Sequence, residues 1–133
     1  MERKTISIPG GPQDLFPDFS YDLPFSLAIK MDNLIFTSGA TARDPKTRKP
    51  IGGDIKEQTE QVLQNQKATL EAAGSSLDKV AKVTVFLTDM NDFFGMNEVY
   101  RKFFPKNPPA RSTVQVVKLP VDARVEIEMI AGL

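Results

Sequence analysis

Between residues 54 and 74 the chain carries one unbroken helical pattern, and on both sides of it the period changes to that of strands. Asp54 is placed as an N-cap with Glu57 three residues on, the capping-box arrangement. Ile55, Thr59, Val62, Leu63, Gln66, Leu70 and Ala73 recur at helical spacing, and Gly74 supplies the stop. Residues 80–90 then alternate, with Val83, Val85 and Leu87 on one face and Thr84, Phe86 and Thr88 on the other. Upstream, residues 25–31 and 34–41 form two apolar runs joined by Asp32-Asn33, a turn pair that predicts a hairpin. Downstream, Asn91 is placed to cap a second helix that runs to about Phe104 and ends at Pro105. Phe93, Met96, Asn97, Tyr100 and Phe104 share one side of that helix, and Phe93, Phe94, Phe103 and Phe104 read as its core contacts. Residues 113–119 and 124–131 read as two strands around a Pro120-Val121-Asp122 turn. A chain ordered strands, helix, strand, helix, strands is an α+β protein: a mixed sheet with two helices packed on one face. Two helices leave the other face to water or to another subunit. Val114, Val116, Ile127 and Ile130 put apolar residues on both sides of the last strands in places, which points to oligomerisation.

The 133 residues suit one domain, 1–133, with an irregular N-terminal arm over 1–23 and a core over 24–133. Pro9, Pro12, Pro17 and Pro24, with Gly10 and Gly11, deprive the arm of amide donors and of repeating structure. Cysteine and histidine are both absent. That removes Cys/His zinc sites, cysteine nucleophiles, Ser-His-Asp triads and imidazole bases. Chemistry is left to carboxylates, arginine, lysine, hydroxyls, backbone groups and water. Lys+Arg and Asp+Glu both number 17, which argues against a dedicated nucleic-acid binder. No apolar run approaches the roughly 18 residues of a membrane span. Met1-Glu2-Arg3-Lys4 leads into no apolar signal segment, and a cytoplasmic location is expected.

Three constellations bear on chemistry, each with a structural reading beside the functional one. Arg111 follows Pro108-Pro109-Ala110 and precedes a strand, so its guanidinium is anchored at a stiff corner. There it either takes a carboxylate bidentately or makes a surface ion pair. Glu126 and Glu128 lie two apart in a strand, on one face and about 6.6 Å apart. They either divide the work of positioning water and moving protons or form the solvated face of a half-buried strand. Ser38-Gly39 marks either a bulge or a close approach of a ligand to the backbone. Gly52-Gly53 lacks the Gly-x-x-x-x-Gly-Lys-Ser/Thr pattern of a phosphate loop and reads as a linker.

Taken in order, these segments resemble the Rid family, also called the YjgF-like family. The resemblance lies in Asn33-Leu34-Ile35-Phe36-Thr37-Ser38-Gly39, in Gly53-Asp54-Ile55-Lys56-Glu57-Gln58-Thr59, and in residues 70–80. It continues through residues 84–93 and Asn97-Glu98-Val99-Tyr100. It closes on Pro109-Ala110-Arg111-Ser112-Thr113, Leu119-Pro120 and Val125-Glu126-Ile127-Glu128. The resemblance implies a chorismate-mutase-like fold assembled as a homotrimer, with ligand sites in clefts between subunits. It implies hydrolysis of reactive 2-imino or enamine acids to 2-oxo acids and ammonia, with no metal or organic cofactor. In its terms Arg111 holds the substrate carboxylate and Glu126 is associated with the water, while Phe25, Ser38, Gly39, Asn97 and Thr113 line the cleft. Departures are visible. Leu23-Pro24-Phe25-Ser26 stands where members of the deaminase type commonly read Gly-Pro-Tyr-Ser, so Phe25 keeps an aromatic wall but loses a hydroxyl. Leu27 and Ala40 stand where glutamine is frequent. These changes predict a more apolar cleft that takes a different side chain from the simplest imino acids. The missing hydroxyl also leaves a second reading open, a non-catalytic trimer that binds or senses small carboxylates. RNA cleavage, ascribed to some relatives, fits the neutral charge and missing histidine least.

Overall fold

The computed structural model describes residues 2–7 and 24–133. Its strands are β1 (Arg3–Ile6), β2 (Ala28–Met31), β3 (Leu34–Thr37), β4 (Val80–Leu87), β5 (Ala110–Gln115) and β6 (Val125–Gly132). Its helices are α1 (Ile55–Ala72) and α2 (Phe93–Phe103). The six strands form one mixed sheet in the order β1-β2-β3-β6-β4-β5. All neighbours are antiparallel except β4 and β5. β6 inserts between β3 and β4, which therefore run parallel to each other with α1 as their crossover; α2 is the crossover from β4 to β5.

The strongest sequence signal becomes the spine of the fold. The Asp54 side chain accepts a hydrogen bond from the Glu57 amide at 2.9 Å, and Gly74 leaves the helix at φ 84°. Val62, Leu63 and Leu70 of α1 are fully buried against Ile35, Val83, Val85 and Ile127 of the sheet. β6 alternates as its sequence does: Val125, Ile127, Met129 and Ala131 enter the core, and Glu126, Glu128 and Ile130 turn to the opposite face. Both helices pack on the core face. The other face carries exposed Leu34, Phe36 and Val114, with Phe36 aligned beside Ile29 and Ile130.

Four expectations change. Arg3–Ile6 is not irregular: it is an edge strand that continues the hairpin by pairing with β2, because its extended backbone finds the free edge of that strand. Residues 8–23 of the arm lie outside the described residues. Asn91 does not cap the second helix: it lies in a 3-10 turn, Met90–Asp92, capped by Asp89, whose carboxylate accepts from the Asn91 amide at 2.9 Å, and α2 follows with Asp92 at its N-cap and no side-chain cap hydrogen bond. Phe94 does not join the core; it is 81% exposed, on the side of α2 shared with Glu98 and Arg101. Finally, β5 and β6 are not paired around the Pro120 turn. The connection passes the end of β4, where Val116 donates to Leu87 O at 2.8 Å and Thr88 donates to Arg124 O at 3.2 Å. This leaves β4 between the two strands.

Candidate functional site

The site begins where β3 stops pairing regularly with β6. Phe36 is level with Ile130 and Ala40 with Ile127, so four steps on one strand oppose three on the other. One residue is in excess, which is a bulge. The bulge is built from hydrogen bonds. Met129 N donates to Thr37 Oγ1 at 2.9 Å, and Ala40 and Ile127 exchange backbone bonds of 2.9 and 3.1 Å. Ser38 donates its hydroxyl to Ser26 O at 2.6 Å and its amide to Leu27 O at 2.9 Å. From beneath, the buried Gln66 amide donates to Ser38 O at 3.0 Å and to Ile127 O at 2.6 Å. A helix residue thus fixes the backbone of the site. We expect Gln66→Leu to destabilise the fold by about 1–3 kcal/mol, since Ser38 O is left buried without its donor. Urea unfolding measures this, and a midpoint equal to wild type would show that the amide carries no such load.

Gly39 and Glu126 explain each other. A β-carbon on Gly39 would lie 2.5 Å from Glu126 Oε2 and 2.7 Å from its Cδ, so only glycine lets the carboxylate lie against the bulge. Burial there raises the proton affinity of Glu126 above the ordinary carboxylate range, and the neighbouring Glu128 charge adds to the rise. Both glutamates open onto a cavity of about 610 Å³, whose wall also includes Phe25, Leu27, Ser38, Gly39 and Ala40. Of the residues expected from sequence, Phe25, Ser38, Gly39 and Glu126 are therefore brought together, and the two positions where glutamine is frequent, Leu27 and Ala40, join the same wall.

Arg111 is elsewhere. Its guanidinium carbon lies 4.6 Å from the centre of the Tyr100 ring and 5.6 Å from that of Phe93, and Nη1 is 3.8 Å from Met96 Sδ. These contacts come from three successive turns of one face of α2. The rings hold the cation by cation–π attraction. Burial pushes the Tyr100 phenol up to about 12, opposed by the Arg111 charge, so it stays neutral. Among the described residues Arg111 makes no ion pair. Thr113 lies two residues along β5 on the same face, its hydroxyl buried without a hydrogen-bond partner. Asn97 is partly exposed on α2, one turn beyond Phe93.

Strand register separates the two halves. Arg111 is level with Val83, and Val83 with Met129, which places it on the core face near the sheet edge. Glu126 is level with Phe86 and points to the opposite face. One copy of the chain does not bring Arg111 and Glu126 together. Sequence reasoning placed Gln66 on the buried side of α1 without its role in the bulge, because helical spacing marks burial and not the partner of a polar group. It passed over Arg43 and Arg48, which also line the cavity, because a polar loop gives no periodic signal.

Residues 20–133 match the family model described as Endoribonuclease L-PSP. A RutC family protein of Pyrococcus horikoshii is 56% identical over 81% of this chain and 86% of its own length. A 2-iminobutanoate/2-iminopropanoate deaminase of Dermatophagoides farinae is 38% identical over 96% of this chain and 94% of its own. Among solved structures, that of Escherichia coli TdcF with bound serine superposes with a TM-score of 0.85 at 37% identity, covering 98% of each chain. A match over most of the chain in sequence, and over nearly all of it in structure, fixes the relationship: the chain belongs to the Endoribonuclease L-PSP family, which includes the Rid and YjgF-like proteins.

Proposed function

We propose that this protein is an imine deaminase that hydrolyses 2-imino acids, or their enamine tautomers, to 2-oxo acids and ammonia in clefts between copies of the chain. The observation that carries the reading is the placing of two groups. A carboxylate of raised proton affinity lines a cavity, and a guanidinium without an acid partner among the described residues lies on the opposite face. The family relative named as an iminobutanoate and iminopropanoate deaminase supports the reaction, and the neighbour with bound serine supports a small carboxylate ligand.

The chemistry asks little of the protein beyond position. Arg111 of one copy takes the substrate carboxylate in its fork, the cation held beside the Tyr100 and Phe93 rings. Thr113 and Asn97 flank that carboxylate, and Phe25, Ser38 and Gly39 of the facing copy wall the imine. Glu126 holds a water and takes its proton as the oxygen adds to C2. The proton passes to nitrogen; the remaining hydroxyl proton follows it through Glu126 as the C2=O double bond forms and the C2–N bond breaks, so that ammonia leaves and the 2-oxo acid remains. A raised proton affinity makes Glu126 a better base near neutrality. A homotrimer is the assembly we infer, in the cytoplasm; the exposed Leu34, Phe36 and Val114 on the face away from the helices supply apolar surface for it.

The test is complementation. Chains carrying Arg111→Ala and chains carrying Glu126→Gln are each expected to lose most of the acceleration of 2-iminobutanoate decay, with the imine generated in situ by an amino-acid oxidase and read by semicarbazide trapping. Unfolded together and refolded, they are expected to regain part of the rate, because some clefts then pair an intact Arg111 with an intact Glu126. Light scattering is expected near three times 14.8 kDa. No recovery, or a monomer at micromolar concentration, rejects the shared cleft. No acceleration by wild type on several imino acids leaves the binding trimer as the function.

A further inference from the structure

The Glu126 cavity has a second chemical end that hydrolysis of a small imino acid does not use. Its volume, about 610 Å³, falls among pockets that take whole drug-sized ligands, roughly 300–1,000 Å³. A four-carbon imino acid leaves most of it empty. Besides Phe25, Leu27 and Ala40, the wall includes the loop after β3, which contributes Arg43, Asp44, Pro45 and Arg48.

Arg48 is the informative residue. It lies at φ 66°, in the left-handed region that favours glycine, so a long side chain is kept there at a cost in backbone strain. Its guanidinium donates to Pro45 O, within the same short loop. Among the described residues it makes no ion pair. Asp44, the nearest acid in sequence, is committed elsewhere: Oδ1 accepts from the Lys46 amide at 2.7 Å and from the Thr47 amide at 2.9 Å. The loop itself is fixed. Arg43 Nη1 donates to Arg48 O at 2.8 Å, Arg43 pairs with Pro50, and Asn65 of α1 donates to Arg43 O at 2.9 Å. A cation is thereby held on a braced loop in the wall of the cavity that Glu126 also lines, a wall to which Phe25, Leu27 and Ala40 add apolar surface and the already hydrogen-bonded Asp44 adds an acid.

We propose that Arg48 is a specificity-determining residue, and that the preferred substrates are 2-imino acids with an acidic side chain, such as those derived from glutamate. The substrate's methylenes lie along Phe25, Leu27 and Ala40, and its distal carboxylate meets the Arg48 guanidinium. The proposal rests on the deaminase reading above and adds the substrate class to it.

The experiment compares 2-iminoglutarate with 2-iminobutanoate, each generated in situ and followed by semicarbazide trapping. Wild type is expected to have the higher kcat/KM for 2-iminoglutarate. Arg48→Gly is expected to lower the ratio of the two kcat/KM values by about tenfold or more, the range of a lost charge-assisted hydrogen bond. Glycine relaxes the φ of this position and keeps the carbonyl that holds Arg43, so the variant is expected to fold. Lys49→Ala, an exposed cation of the same loop outside the cavity wall, is expected to leave the ratio unchanged. If wild type hydrolyses 2-iminobutanoate but the ratio is the same in wild type and Arg48→Gly, or falls equally in Lys49→Ala, the acidic-substrate assignment is wrong and the deaminase reading stands. If wild type accelerates neither imine, both are wrong.

Discussion

Replacing Glu126 by glutamine is expected to slow imine hydrolysis by roughly a hundredfold or more, within the span typical of a lost general base. The amide keeps the size of the side chain beside Gly39 and most of its hydrogen-bonding capacity, and removes only basicity. Glu128→Gln is expected to change the rate no more than a few-fold. Glu128 lies two residues further along the same face and acts on Glu126 through its charge. The pH profile of wild type carries the same signature. Since Glu126 works ionised and its proton affinity is raised, the rate is expected to fall as pH drops through a value above the ordinary carboxylate range. Stability runs the other way. A carboxyl that holds its proton more tightly folded than unfolded favours the folded state at low pH, and that contribution is lost as pH rises through the folded value. Glu126→Gln is therefore expected to raise the thermal midpoint at neutral pH while removing activity. Two amide variants with equal rates, or a Glu126→Gln protein that is both slow and less stable, would remove Glu126 from its role.

The second large effect is at Arg111. Arg111→Ala is expected to weaken binding of a 2-oxo acid such as 2-oxobutanoate by about tenfold, and by about a hundredfold if both arms of the fork are engaged. The range follows from roughly 1.5–3 kcal/mol for each charge-assisted hydrogen bond. Arg111→Lys is not expected to restore it. An ammonium keeps an attraction to the Tyr100 ring, which lies 4.6 Å from the Arg111 guanidinium carbon, but lacks the planar fork that meets a carboxylate at two points. Titration calorimetry reads both variants, with Glu126→Gln as the companion that is expected to bind normally. Equal affinity in wild type and Arg111→Ala would place the carboxylate elsewhere.

These two residues also show how far a sequence reaches. Local rules governed most of the frame. The Asp54 cap, the 18-residue helix it begins, the alternation of β4 and β6 and the Asp32-Asn33 turn each depend on neighbours within a few residues. Spacing likewise put Glu126 and Glu128 on one face, and the family resemblance chose between them. Locality also explains the failures. Arg3–Ile6 is a strand because β2 offers it an edge, and that edge exists only in the assembled sheet. Residues 113–119 and 124–131 read as two strands around a turn, but the first strand is Ala110–Gln115, ending before the turn, and β4 holds the place between it and β6.

The chemistry of the site is tertiary throughout. Gly39 was legible as a bulge or as the close approach of a ligand; the structure shows the bulge, bonded by Thr37, Ala40 and Gln66, and what lies against the glycine is the protein's own Glu126 carboxylate, 87 residues later in the chain. The sequence by itself determined which residue types were present to bind and to move protons, and which faces of helix and strand they occupied. Only the three-dimensional structure decided that Arg111 and Glu126 stand on opposite faces. Face is a local property of a strand, set by its two-residue period. Which residues meet is set by the order of strands in the sheet, by the register between them, and by the surfaces one copy of the chain presents to the next.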